Sequence, residues 1–552
     1  MSLDLYNITS VHISRLEFIG CSSKGESIGQ LSIKDTSFLG QENSSTALEL
    51  VRSTAVIEGS SFTSNMLGNW KKILVRNLRK NSRQIVRAGG AIALTQSDII
   101  LMDVSVKENS AEVGGAMFGE RNSRIMIINS RFERNHATSQ SNDTDCYGGA
   151  LYCQGGCTLV IHNSTFSNNA AVREQVLQVL DKNIEANAGG AIAIVGRAKA
   201  DISESKFSSN EAGGDGGAIH TLKSTVNIDK CEFNNNMADR YGGAIHAQGS
   251  TISVMNITVS EFSNNKADNN GGAVYASNKY SVNINRSRFV NNTAEYGGAI
   301  QTRKGTLNIS LGIFSNNKAD KEGGAIYDTE STVNINQSEF GNNTAMMDGG
   351  AVYGRRNTIT IIDNNFSGCI ADIRGGAIHT RDSTINISKS SFDRNKAGDG
   401  GGTIFLWGGT VNINGSEFSD NKVDNGGGVI YVLEGTVNIN GSDFSHNIAK
   451  NNGGVIRTFE STVNINWSEF NTNRVGNDGG VVDIDNMYIT EVVKVHISGS
   501  VFCNNKGGNG GVIYAKRVTM TINSVDFIEN RAGTGVLYIS QSNILFLSLI
   551  HI

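Results

Sequence analysis

Residues 314–340 read FSNNKADKEGGAIYDTESTVNINQSEF, and this stretch decides the fold. It opens on Phe314, passes Asn317 and the pair Gly323-Gly324, and runs on as Ala325-Ile326-Tyr327. The segment Thr332-Val333-Asn334-Ile335-Asn336 then leads to a second phenylalanine, Phe340, 26 residues after the first. The same step continues through Phe366, Phe392, Phe418, Phe444 and Phe470, each followed by a glycine pair. A constant period of roughly 20 to 50 residues marks a solenoid, in which stacked coils bury a shared core.

The pattern inside one coil says which way side chains face. Apolar and polar residues alternate in Thr332–Asn336, so Val333 and Ile335 point inward and Asn334 outward. Ser338 and Phe340 return to the core, and the glycine pair gives backbone freedom at the next corner. Three residues after Phe stands asparagine (Asn317, Asn343, Asn395, Asn421, Asn447, Asn473). Stacked amides there can bond along the stack, and asparagine tolerates left-handed backbone. The expected fold is all-β, a parallel β-helix solenoid of about 16–19 coils, mostly 26 residues per coil.

Composition agrees with that reading. The 552 residues include 64 glycines and no proline, and proline lacks the N–H that a coil donates to its neighbour. A formal charge of -4 leaves no overall basic field, which argues against nucleic acid as a partner. Of the seven cysteines, Cys231 shares the small-residue column with Ser338 and Ser416, while Cys21 and Cys369 stand in the asparagine column. Cys146, Cys153 and Cys157 form the one cluster, open to a local disulfide in an oxidising compartment; their spacing fits no standard zinc pattern.

Taken in order, residues 1–63 read as divergent N-terminal coils that cap the stack. Residues 64–88 form a basic insertion with Lys71, Lys72, Arg76, Arg79, Lys80, Arg83 and Arg87 and no acidic residue; Leu74 and Leu78 are spaced for a helical face. It reads as a contact for an anionic partner, membrane or polyanionic glycan, or as a solvated helix lying on the solenoid. The parallel β-helix proper runs over 89–541, interrupted at about 171–187, where Val172, Val176, Val179, Leu180 and Ile184 predict an amphipathic helix. Residues 542–552 are apolar, a C-terminal strand or a truncated edge, and shorter than the roughly 20 residues a membrane-spanning helix needs. Met1–Tyr6 shows neither a basic leader nor an apolar signal core.

Two motifs alternate along the chain. Gly-Gly-Ala-Ile occurs at Gly216–Ile219, Gly242–Ile245, Gly297–Ile300, Gly323–Ile326 and Gly375–Ile378, and Phe-x-x-Asn at Phe207–Asn210, Phe233–Asn236, Phe289–Asn292 and Phe418–Asn421. Over roughly residues 89–533 this alternation resembles the repeat of the chlamydial polymorphic outer membrane proteins. The resemblance implies a right-handed parallel β-helix of the pectin-lyase-like kind, placed at the cell surface or outer membrane or outside the cell, in proteins linked with adhesion. Relatives of that kind carry a leader and a C-terminal membrane barrel, and neither is visible in this sequence.

Parallel β-helices also house polysaccharide lyases and hydrolases, which need clustered carboxylates. Asp483 and Asp485 are the best such pair, but Arg457 occupies the position of Asp483 one coil earlier, so a cross-coil ion pair is expected. No catalytic residue, metal ligand or cofactor is assigned. The position after Gly-Gly-Ala-Ile holds a variable file that includes His220, His246, Tyr275, Tyr327, Tyr353, His379 and Tyr431. Aromatic and hydrogen-bonding groups in a row suit sugar rings or a docked protein, or else stack to stabilise the sheet. About fifteen Asn-x-Ser/Thr sequons occur, among them Asn285, Asn336, Asn414, Asn440 and Asn466; at one column about 4.8 Å apart, attached glycans would collide. The expected function is non-enzymatic presentation of an elongated binding face to a glycan or a host or cell-surface protein. A carbohydrate-active enzyme and a structural scaffold are the alternatives.

Overall fold

The computed structural model describes residues 2–19, 22–39, 46–65, 72–77, 82–139, 145–172, 187–249, 253–486 and 493–547. Their regular elements are all β-strands, grouped in two units, Met1–Arg288 and Phe289–Ile552. Each unit is a parallel β-solenoid.

A coil of the second unit uses four short strands, as in Ile313–Ser315, Lys318–Glu322, Ile326–Thr329 and Thr332–Asn336. Each pairs in parallel with its equivalent one coil on: Phe314 with Phe340, Lys318 with Thr344, Ile326 with Val352, Val333 with Ile359. The alternation behaves as the sequence predicts. Val333, Ile335 and Phe340 are buried, while Asn334 is half-buried on the outer side. Phenylalanine rings stack along the interior, with Phe392 4.8 Å from both Phe366 and Phe418.

The asparagine column is a continuous hydrogen-bond ladder. Asn395 Nδ2 donates to Asn421 Oδ1 at 3.0 Å and to the Phe366 carbonyl at 3.0 Å, and its backbone N–H donates to the same Asn421 Oδ1. The left-handed residue is not the ladder asparagine but the one before it: Asn316, Asn342, Arg394 and Asp420 have φ of 53–55°. Two residues before Phe a second ladder runs, Ser390 N–H donating to Ser416 Oγ at 3.2 Å.

The two glycines of each pair do different jobs. Gly323 has φ +68°, a conformation that glycine adopts at no steric cost. Gly324 lies so close to the next coil that a Cβ would come within 2.0 Å of the Gly350 carbonyl oxygen. One glycine makes the turn and the other lets coils approach.

The first unit shows where expectations change. The described residues among 2–63 pair as ordinary parallel coils, Ser2–Tyr6 on Ser22–Glu26, with the rings of Phe18, Phe38 and Phe62 stacked at 4.9 and 4.5 Å. Glycine pairs are missing there, and the coil step shortens. The described part of the basic insertion is not a helix. Lys72–Asn77 and Ser82–Arg87 form an antiparallel hairpin that sets Lys72 opposite Arg87 and Arg76 opposite Arg83. The branched residues Ile73, Val75, Ile85 and Val86 favour strands over the helical face suggested by Leu74 and Leu78. Lys71, Leu78, Arg79 and Lys80 lie outside the described residues, as do 173–186 of the expected helical loop. In the second unit the strand Asn543–Phe546 pairs with Val518–Asn523.

Candidate functional site

The variable file after the glycine pairs is in register: His220 pairs with His246, His246 with Tyr275, Tyr327 with Tyr353, Tyr353 with His379. It is not an open face. His220, His246, Tyr275, Tyr353 and His379 are 3–8% exposed, and Tyr327 and Tyr431 are half-buried. The cover comes from residues just before the glycine pairs, which fold over the file. In the first unit the ring of Tyr241 lies 4.8 Å from that of Tyr275; in the second, Tyr296 lies 5.2 Å from Tyr327 and the Arg374 guanidinium 5.1 Å from the Phe405 ring. The signal was present in the sequence as Tyr147, Tyr241 and Tyr296, each directly before its glycine pair.

Beneath that cover the file carries titratable groups. His220 and His246 face each other at 2.9 Å between Nδ1 atoms, beside Asp215, whose oxygens receive Arg240 at 3.3 and 3.4 Å. Burial, then the charge of Arg240, pulls His220 down to about 4, so both rings are neutral near pH 7. Asp215, His220 and His246 are the one set of three potential metal ligands that converge among the described residues, and Arg240 already neutralises the carboxylate. In the second unit His379 Nδ1 lies 3.1 Å from Asp348 Oδ2. Burial, then the Asp348 charge, pushes Glu322 up to about 7. The expected ion pair is present, Arg457 Nε to Asp483 Oδ2 at 3.4 Å; burial pushes the Asp483 carboxyl to about 7 against the pull of Arg457. Asp483 is thus committed to its partner and does not stand with Asp485 as a free acid pair. Cys146, Cys153 and Cys157 are all buried, and no disulfide joins them.

The open polar face lies elsewhere, on the outer side of the Thr-Val-Asn-Ile-Asn strands of the second unit. A shallow groove there is lined by Thr360, Asn386, Asn412, Asn438 and Asn464 in one column and Ile362, Ser388, Asn414, Asn440 and Asn466 in the next. Asn412 donates to Asn386, Asn438 to Asn412 and Asn464 to Asn438, each at 2.8 Å, and Asn440 donates to Asn414 at 3.0 Å. Each amide keeps a further N–H and lone pair for a ligand. No lining residue is charged. Trp467, next after Asn466, is 68% exposed at the corner ending the face. The sequence displayed this surface as repeated Asn-Ile-Asn, where it reads most readily as corner-forming sequons.

The Chlamydia polymorphic membrane protein repeat matches residues 204–222, 230–248, 260–277, 312–329, 415–433 and 499–516. The chain carries the polymorphic membrane protein repeat. Each matched segment runs from just before a Phe-x-x-Asn turn to the strand after the glycine pair, so the polymorphic membrane protein repeat is one coil without its Thr-Val-Asn-Ile-Asn strand. No curated protein matches the chain. Among solved structures, a PL6 family alginate lyase, AlyGC, is similar at 10% identity and a TM-score of 0.24, covering 98% of this chain and 100% of its own. The periplasmic alginate epimerase AlgG is similar at 8% identity and a TM-score of 0.17, covering 90% of this chain and 78% of its own. Scores this low carry no weight for the site. Among the described residues no helix is long and apolar enough to cross a membrane.

Proposed function

We propose that this chain is a non-enzymatic β-helix protein of the cell surface or outer membrane that takes part in adhesion by holding an extended neutral glycan. The groove from Thr360 to Asn466 carries the reading. It repeats amide donors and acceptors once per coil, about 4.8 Å apart, which suits a ligand that itself repeats hydroxyl groups. The absence of charge in its lining disfavours uronate chains, and Trp467 offers a ring for stacking against a sugar. The surface address rests on the repeat alone.

A glycan array probed with the intact chain tests this. Binding to neutral glycans is expected, and Asn412→Ala with Asn438→Ala and Trp467→Ala lowers the affinity on the order of tenfold or more, at about 1 kcal/mol per lost contact. An array with no neutral ligand, or binding indifferent to these changes, ends the proposal. Release of unsaturated or reducing ends from polysaccharides in a parallel assay favours the enzyme reading instead.

A further inference from the structure

The short strands Lys396–Ala397, Lys422–Val423, Ile448–Ala449 and Arg474–Val475 of the second unit bury Ala397, Val423, Ala449 and Val475 as one apolar cluster. Alternation therefore turns Lys396, Lys422, Ile448 and Arg474 outward, and all four are exposed. They stand in direct parallel register, and isolated bridges extend the column from Arg474 to Lys506 and Arg531, both exposed. Five cations thus occupy six successive coils, one per about 4.8 Å where neighbours are adjacent. Among the described residues one carboxylate, that of Asp424, comes within 4.0 Å of a column cation. Asp424 lies 2.6 Å from Lys450 and 4.0 Å from Lys396. Its carboxyl is held below the ordinary range chiefly by the Lys450 hydrogen bond, with the charges of Lys450, Lys396 and Lys422 adding to this against burial. Lys422, Arg474, Lys506 and Arg531 have no ion pair among the described residues. Like charges in register repel one another, and a row of them focuses a positive potential that the total charge of -4 conceals.

We propose that this column binds a linear polyanionic glycan whose sulfate or carboxylate groups meet the cations coil by coil. Two observations select that partner over other polyanions. Across the asparagine corner the next sheet presents Glu417, Asp443 and Glu469 in register and exposed, so a planar anionic membrane would meet an acidic column beside the basic one. The basic column is interrupted only by the aliphatic Ile448, so it offers no ring on which a nucleobase could stack. A narrow chain of charge is what fits. This site is distinct from the asparagine groove and does not depend on it.

The test titrates the intact chain with heparin, dextran sulfate, neutral dextran, duplex DNA and anionic phospholipid vesicles at about 50 and about 200 mM salt. Sulfated chains are expected to bind, and more weakly at the higher salt. Replacing Lys422, Arg474 and Lys506 together by Gln lowers that affinity roughly a hundredfold, at about fivefold per cation. A charge-matched control, Arg356→Gln with Lys389→Gln and Lys494→Gln at exposed positions off the column, leaves it within about threefold, since distant surface charges are screened. Circular dichroism checks that both variants fold. The proposal is overturned if sulfated chains do not bind, if both triple variants lose equally, or if DNA or vesicles bind as tightly through the same three residues. Neutral glycan binding that survives the column variant keeps the groove reading separate from this one.

Discussion

At the scale of single residues, the repeat leaves little freedom in its interior columns and more in the file that follows the glycines. Gly324 admits no side chain because the next coil's carbonyl occupies the place of its Cβ. Glu322 shows the opposite latitude. It stands two residues before that glycine, and burial together with Asp348 raises its carboxyl from the ordinary 4.5 to about 7. A carboxyl raised on folding binds its proton more tightly in the native state, so its ionisation opposes folding. Native stability should therefore fall as pH rises from about 4.5 to about 7, and level off above. Glu322→Gln removes this contribution. Thermal midpoints taken across that range should decline less steeply in the variant than in the parent, and parallel curves would contradict the assignment.

At the scale of elements, the asparagine ladder has a gap that can be repaired. Cys369 takes the place of asparagine; its buried thiol, pushed up to about 12 by burial, reaches the Phe340 carbonyl at only 3.5 Å. Its backbone N–H still donates to Asn395 Oδ1 at 3.0 Å. An asparagine here would accept from Asn343 and donate to Asn395, joining the two halves of the ladder. Cys369→Asn is expected to stabilise the protein by about 0.5–1.5 kcal/mol for each bond gained. A lowered denaturation midpoint would show that the thiol is packed rather than tolerated. The ladder, the phenylalanine stack and the glycine turns were legible because each recurs at one position in a 26-residue period, as Phe392, Asn395 and Gly401 do. The cover over His246 is marked in the sequence only by a tyrosine directly before a glycine pair, because Tyr241 reaches the ring through a fold of the chain that no local alternation encodes. The paired strands Lys72–Asn77 and Ser82–Arg87 are hidden in the sequence for a different reason. Leu74 and Leu78 matched a helical interval, whereas the branched residues around them set the backbone. The basic column is not legible in the sequence because its members lie 25 or more residues apart and vanish in a near-neutral total.

At the scale of the whole molecule, function on a solenoid depends on columns that cross many coils, while stability is held by contacts between neighbours. A defect should therefore stay local. Phe392 is fully buried between Phe366 and Phe418, so Phe392→Ala deletes one ring from the interior stack and should cost about 3–5 kcal/mol. If coils couple only to their neighbours, hydrogen exchange should quicken most in the strands Asn365–Ser367, Ser391–Asp393 and Glu417–Ser419 and least in Val501–Cys503 of the same unit. The Phe392 coil holds the first cation of the basic column, Lys396, and the second row of the asparagine groove, Asn386, so each should lose affinity near its N-terminal end while keeping its C-terminal part. Uniform acceleration throughout the second unit would instead mean that it unfolds as one cooperative body, and the columns would then fail together.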